Sequence, residues 1–106
     1  MFGRQVTLKL KANSATELNR IAADEILPIL RKQKGFRDET RLIAPERSEA
    51  IASSFWDTKA DAEAYGHTAY AEVLKTLSNV IDGTPTVKNF EFASSTSQPV
   101  AASKLV

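Results

Sequence analysis

The chain has 106 residues, of which 42% are hydrophobic and none is cysteine, and its 14 basic and 13 acidic residues leave a net charge of +1. This length is typical of one domain with an ordinary core. The lack of cysteine excludes disulfides, thiolate nucleophiles and zinc–thiolate sites. The balanced charge argues against nucleic-acid binding. No apolar run is long enough for a membrane span, and the first residues lack a signal-peptide core. We therefore expect a cytoplasmic protein.

The first part of the chain predicts a strand followed by a long helix. Apolar and polar residues alternate over residues 5–11, which indicates a strand. Ser14 and Glu17 have the spacing of a capping box, and apolar residues at helical spacing then predict a helix over residues 15–32. Pro28 lies inside this helix, where its ring and its missing amide hydrogen predict a kink or a break.

The rest of the chain predicts two strands, a helical region and a last strand, over residues 36–43, 50–56, 58–79 and 87–93. Thr58 and Asp61 give an N-cap signal for the helical region, and residues 82–85, Asp-Gly-Thr-Pro, predict a turn. We divide the chain into a domain of residues 1–93 and a Ser/Ala/Thr-rich segment of residues 94–106. That segment is expected to be a mobile tail or an arm over a partner.

The predicted order β-α-β-β-α-β is the split arrangement of ferredoxin-like α+β folds, in which a four-stranded antiparallel sheet carries two helical regions on one face. Phe55 and Trp56 are adjacent in a strand, so their side chains point to opposite faces of the sheet. Both faces must then be covered, although the helices cover only one. We expect a homodimer in which the bare faces of two sheets pack together.

His67 and Tyr65 are the candidate catalytic residues. His67 is the only histidine, and on a continuous helix it points inward, where it is either a proton-transfer group or a hydrogen-bonded core residue without chemistry. A single histidine without cysteines cannot form a zinc or facial-triad site, so no metal is expected. Tyr65 falls on the polar face of a continuous helix. A break at Gly66–His67, with Thr68 capping a new helix, would instead turn Tyr65 and His67 toward one loop.

Four further residues are candidates for substrate binding: Trp56, Tyr70, Phe55 and Arg41. Trp56 ends a strand and either lines a pocket or fills the core, and Tyr70 lies on the apolar stripe of its helix. Arg41 alternates with Glu39 along a strand. That pattern is typical of a solvated face with ion pairs, and the alternative is an anion-binding Arg41. No phosphate-binding loop is present, which argues against a nucleotide ligand.

Three segments, PILRKQKGFRDE, SSFWDTKADAEAY and GTPTV, resemble the antibiotic-biosynthesis-monooxygenase-type domain over about residues 6–92. Gly35-Phe36 at the helix end and Trp56 at the strand end are the most characteristic positions. The resemblance implies a dimeric α+β barrel of ferredoxin-like protomers with a pocket between the sheet and the helices. It also implies oxygenases that use molecular oxygen on electron-rich aromatic substrates without metal, flavin or another cofactor.

The resemblance does not extend to haem degradation. Family members with that activity use an asparagine in the first strand and a tryptophan and a histidine ten residues apart. Alignment on Trp56 places Tyr65 and Lys75 at the latter two positions, and the first strand offers Arg4 and Gln5. Two hypotheses remain. One is a cofactor-free monooxygenase of a small aromatic molecule. The other is a non-catalytic dimeric binding protein, which predicts an apolar pocket without convergent polar groups.

Overall fold

The computed structural model describes residues 1–44, 46 and 48–93. Its elements in chain order are β1 Phe2–Leu10, α1 Ala15–Ile21, a π-helical turn Ala22–Ile26, α2 Leu27–Arg31, β2 Phe36–Ala44, β3 Glu49–Trp56, α3 Lys59–His67, α4 Tyr70–Leu77 and β4 Ile81–Glu91. The predicted order of strands and helical regions is confirmed. The expected C-terminal tail, residues 94–106, lies outside the described residues.

The four strands form one sheet in the order β2-β3-β1-β4, and every neighbouring pair is antiparallel. This is the predicted ferredoxin-like α+β fold. Alternate residues of the central strands, such as Leu8, Leu10 and Trp56, lie in one apolar cluster with Leu18 of α1 and Leu77 of α4. All helical segments therefore cover the same face of the sheet. Within the described ranges, no helix is long and apolar enough to cross a membrane.

The disturbance predicted at Pro28 is a π-helical turn. Pro28 lies in the first turn of α2, directly after the π-turn Ala22–Ile26. The amide of Leu27 donates to the carbonyl of Ala22, five residues earlier. Such a widened turn gives the proline ring room against the preceding carbonyls, so the helical path continues in a new register.

Of the two N-cap predictions, one is confirmed and one is wrong. Thr58 is extended, and its hydroxyl oxygen accepts from the Asp61 amide at 3.1 Å. Ser14 has ψ near 1° and makes no side-chain cap hydrogen bond. Since this ψ is not the extended value of a capping residue, its hydroxyl cannot reach the helix amides. Glu17 binds Arg20 instead of reaching back to Ser14.

The second helical region is interrupted two residues later than the break considered at Gly66–His67. α3 continues through Gly66 and ends at His67, and α4 begins at Tyr70. The Thr68 hydroxyl donates to the Ala64 carbonyl at 2.7 Å. Thr68 therefore closes α3 and does not cap α4.

The turn predicted at residues 82–85 is wrong, because these residues lie inside β4. Thr86 pairs with Thr7 and Asp82 with Lys9, so β4 has two extra residues between these pairs. The Gly and Pro of this segment form a bulge in a continuous strand, which local turn chemistry does not distinguish from a reversal.

Candidate functional site

A cavity of about 50 Å³ lies between the sheet and the helical layer. Its walls are mostly apolar and come from β1, α1, α2 and α4, including Val6, Leu8, Leu18, Leu30, Val73 and Leu77. Six of its lining residues are polar: Arg4, Glu39, Arg41, Ser54, Tyr65 and Tyr70. A mostly apolar lining with a few convergent polar groups is typical of small-molecule sites, but their usual volume of about 300 to 1,000 Å³ is larger than that of this cavity.

Arg4 is a buried cation in this cavity. β1 starts at Phe2, so its alternation places Arg4 on the helix-covered face with Val6 and Leu8, and Arg4 is only 7% exposed. Its guanidinium carbon lies 4.0 Å from the ring centroid of Tyr70 and 5.4 Å from that of Tyr65. Aromatic faces stabilise a cation at these distances. Among the described residues, no carboxylate lies within ion-pair distance of Arg4.

Tyr65 is held in one orientation by its neighbours. Its ring stacks on Trp56 with centroids 5.0 Å apart, and Tyr70 packs edge-on at 6.0 Å. Burial raises the pKa of Tyr65 to about 12, against the opposing effect of the Arg4 charge. Burial likewise raises the pKa of Tyr70. Tyr65 is therefore a neutral hydroxyl near neutral pH, able to donate a hydrogen bond but not to act as a base.

Glu39 and Arg41 form an ion pair at the cavity. Arg41 Nη1 donates to both carboxylate oxygens of Glu39, at 2.9 and 3.1 Å, and the side chains of Arg41 and Glu39 are only 24% and 12% exposed. Arg41 Nε is buried and has no hydrogen-bond partner in the described part of the chain. The ion pair expected on this strand face is present, formed between two residues of the same strand, whereas the solvated position expected for the face is wrong here. Glu39 pairs with Ser54 in β3, and Arg41 with Ala52, on the helix-covered face.

The structure separates the two candidate catalytic residues. Tyr65 lines the cavity, whereas His67 is exposed at the end of α3 and is not among the cavity's lining residues. The inward orientation expected for His67 is wrong, as is the polar-face position expected for Tyr65. Both errors follow from treating residues 58–79 as one continuous helix with an ideal angle per residue.

Of the four candidate substrate-binding residues, two line the cavity and two do not. Tyr70 and Arg41 line the cavity. Trp56 is fully buried in the core, where its Nε1 donates to the Ser54 hydroxyl at 2.9 Å. Phe55 lies on the opposite face of the sheet, edge-to-face with Phe92 at 5.6 Å. The cavity therefore brings together Tyr65, Tyr70 and Arg41 of the predicted residues.

Arg4 and Glu39 are site residues that the sequence reasoning missed. The signal for Arg4 is present, since Phe2 and Arg4 continue the period-two alternation of Val6 and Leu8 toward the N-terminus. An arginine close to a chain end resembles an ordinary solvated residue, however, and the predicted strand began only at Gln5. Within the described ranges, no three of the histidine, aspartate and glutamate residues are grouped as metal ligands.

Comparison with known proteins finds no family model and no curated protein that matches this chain. Solved structures do match. A protein of unknown function from Nitrosomonas europaea has TM-score 0.73 and 18% identity, covering 94% of this chain and 95% of its own. A monooxygenase from the gene ActVA-Orf6 of Streptomyces coelicolor, in complex with nanaomycin D, has TM-score 0.71 and 18% identity over 95% and 88%. SnoaB, a cofactor-independent oxygenase from Streptomyces nogalater, has TM-score 0.70 and 13% identity over 92% and 97%. The chain thus has the fold of antibiotic-biosynthesis-monooxygenase-type domains.

Proposed function

We propose that the protein is a monooxygenase that uses molecular oxygen to oxidise a small aromatic molecule carrying a phenolic or enolic hydroxyl, without a bound metal or flavin. The observation that carries this proposal is the apolar cavity in which Arg4, Tyr65, Tyr70 and the Glu39–Arg41 pair converge. Its fold is shared with proteins named a monooxygenase and a cofactor-independent oxygenase, which favours the same reaction class.

The reaction needs no external reductant. Loss of a proton from a phenol gives an electron-rich anion, and this anion can pass an electron to molecular oxygen. When the carbon para to the hydroxyl is oxygenated, one oxygen atom becomes the second carbonyl of a quinone and the other leaves as water. The phenol supplies the electrons, so phenol and oxygen give quinone and water with every atom balanced.

The cavity residues have distinct roles in this proposal. The apolar walls hold the aromatic ring and exclude water, and the neutral Tyr65 hydroxyl donates a hydrogen bond to the substrate oxygen. Glu39 is the one carboxylate among the cavity's described lining residues, so it is the candidate proton acceptor. His67 has no role, since its side chain lies outside the cavity.

The size of the cavity favours small substrates. A cavity of about 150 Å³ is known to hold benzene, and the one here measures about 50 Å³. An aromatic ring therefore enters only when lining side chains move aside. One-ring phenols need less displacement than fused-ring compounds, and we expect them to react faster.

Oxygen uptake with a panel of hydroquinones, simple phenols and anthrones tests the proposal, with the quinone products identified by mass. Tyr65→Phe should lower the rate about tenfold or more, since loss of one hydrogen-bond donor to a developing oxyanion costs roughly 10² to 10³ in rate. His67→Ala is the matched control and should leave the rate unchanged. Uptake that is no faster than in buffer, or equal in the wild type and Tyr65→Phe, would contradict the proposal.

A non-catalytic binding protein was the alternative, and it predicts an apolar pocket without convergent polar groups. Two guanidinium groups, one carboxylate and two phenol hydroxyls line this cavity. Buried polar groups are costly unless they are hydrogen-bonded, and buried charges unless they are paired. Such a lining is not the one that the alternative predicts, so the observation favours the enzyme over a purely apolar binding pocket.

We also propose that the protein is a homodimer formed through the sheet face that no described helix covers. On that face Phe90 is 50% exposed and Leu42 is 68% exposed, and the strand register places Phe55 and Ile51 on the same side. Large apolar side chains grouped on one open face are typical of a protein–protein interface. Packing two such faces together would complete the covering of the sheet.

A further inference from the structure

Arg4 has a charge that the fold itself does not neutralise. Arg4 is only 7% exposed, and no carboxylate of the described residues approaches it within ion-pair distance. Its guanidinium lies instead against the rings of Tyr65 and Tyr70. Burial of a charge is unfavourable unless the charge is paired. An unpaired guanidinium that lines a cavity therefore points to an anionic occupant.

The other charges of the cavity strengthen this conclusion. Arg41 and Glu39 neutralise each other through two hydrogen bonds from one guanidinium nitrogen. The remaining titratable groups that face Arg4 are Tyr65 and Tyr70, whose raised pKa values keep them uncharged near neutral pH. The described lining thus carries one net positive charge, located on Arg4. An occupant with one negative charge would make the site neutral.

We propose that Arg4 binds the ionised oxygen of an aromatic occupant, so that the cavity selects phenolates or enolates over the neutral compounds. This inference rests on the proposed function, because the phenolate is the species that reacts with oxygen. It assigns stabilisation of the ionised oxygen to Arg4, while the proton passes through Glu39 to solvent, so that Glu39 is again paired with Arg41 once the anion is bound. A charge-assisted hydrogen bond to an oxyanion is stronger than one between neutral groups, and the apolar walls strengthen it further.

The test uses 4-nitrophenol as the probe, because its anion is yellow, its neutral form is colourless and it has one ring. The probe is titrated with acid and base at saturating protein under nitrogen. We expect its apparent pKa to fall by about one unit or more, which corresponds to at least tenfold tighter binding of the anion. Absence of binding, or an unshifted pKa, would overturn the inference.

Variants of Arg4 test whether this residue causes the pKa shift of the probe. Arg4→Gln should abolish the shift, while Arg4→Lys, which keeps the charge, should retain part of it. Arg31→Gln is the control, because it removes an identical charge from an exposed position outside the cavity. A shift of the same size in Arg4→Gln would overturn the proposal. Circular dichroism of each variant verifies folding, and should Arg4→Gln not fold, Arg4→Met takes its place.

The result of this titration is independent of the oxygen-uptake test of the proposed function, since 4-nitrophenol binding under nitrogen involves no oxidation. An Arg4-dependent shift in a protein that consumes no oxygen would uphold the anion site and contradict the monooxygenase. Oxygen consumption without an Arg4-dependent shift would uphold the monooxygenase and overturn the anion site.

Discussion

Arg4 holds a positive charge between Tyr65, Tyr70 and apolar residues of β1, where water is largely excluded. A methionine has a similar unbranched stem and no charge, so it can fill the same space without the desolvation cost. We expect Arg4→Met to raise the free energy of unfolding by about 1 kcal/mol or more, measured by urea denaturation.

Arg31→Met is the control for Arg4→Met, because Arg31 is exposed at the end of α2. Substitutions at such positions usually change stability by less than about 0.5 kcal/mol. If Arg4→Met instead lowers stability, the stacking of Arg4 on the tyrosines is structural. Higher stability together with loss of anion binding is the trade-off expected of a functional residue.

The ionisation of Tyr65 makes the free energy of unfolding depend on pH in the alkaline range. Burial raises its pKa to about 12 in the folded protein, against about 10 in an unfolded chain. Between these values the unfolded state releases the proton while the folded state keeps it, so rising pH favours unfolding. The contribution is complete below about pH 10 and is lost toward pH 12, at up to about 1.4 kcal/mol per pH unit.

Urea denaturation at a series of pH values from about 9 to about 11.5 tests this dependence. Tyr65→Phe should flatten the slope, because phenylalanine has no proton to lose. Tyr70 also has a raised pKa. The difference between the slopes of the wild type and Tyr70→Phe therefore measures the contribution of Tyr70, which is kept apart from that of Tyr65. An equal slope in the wild type and Tyr65→Phe would show that Tyr65 ionises freely in the folded state.

At the scale of elements, the contact between the α2–β2 connection and α3 depends on Gly35. Its φ is +80°, and a Cβ at this position would lie 2.8 Å from the Cβ of Asp61. Gly83 has φ +70°, and a Cβ there would meet no described atom within 4 Å. Replacing either glycine with alanine should lower the free energy of unfolding by about 1 to 2 kcal/mol, because alanine is strained in the left-handed conformation. At Gly35 the contact with Asp61 should add a loss of about 1 to 3 kcal/mol from overpacking.

Comparing Gly35→Ala with Gly83→Ala therefore separates strain from contact. We expect both variants to be less stable in thermal denaturation, and Gly35→Ala to be the less stable of the two by about 1 kcal/mol or more. Equal losses would show that α3 shifts away from Gly35 at little cost.

Local pattern was sufficient for most elements. The alternation of Leu8 and Leu10 identified β1, the Thr58–Asp61 spacing identified the start of α3, and the order of elements identified the fold. The site depended on contacts distant in sequence. Glu39 and Arg41 face the cavity because β2 changes register with β3 between Phe36 and Asp38, and no feature of β2 alone reveals that shift.

The orientation of Tyr65 was unpredictable for a related reason. Its inward position is stabilised by stacking on Trp56, nine residues earlier in the chain, and by Arg4 from the opposite end of the domain. The helix angle alone gave the wrong face, because α3 stops at His67 and α4 starts as a separate helix at Tyr70. Packing across elements thus decided that Tyr65 reaches the cavity.

At the scale of the whole molecule, the described helices cover one face of the sheet, and the other face carries Phe55, Phe90 and Leu42. A stable interface buries about 1,200 to 2,000 Å² in total, and the outer face of a four-stranded sheet can supply such an area. We expect light scattering at micromolar concentration to give twice the 11.6 kDa mass of the chain.

Charges placed on this face should separate the subunits without unfolding them. Phe90 and Leu42 are already the most exposed large apolar residues of the described chain, so Phe90→Asp with Leu42→Asp removes little from the core of one protomer. In a dimer, however, four carboxylates, two from each protomer, would be buried without partners, at a cost of several kcal/mol per charge. The double variant should have the mass of one chain and an unchanged circular dichroism spectrum. Asn19→Asp, an exposed change on α1, should remain dimeric. A wild-type mass of 11.6 kDa would contradict the proposed interface, because the apolar face would then be stable in water.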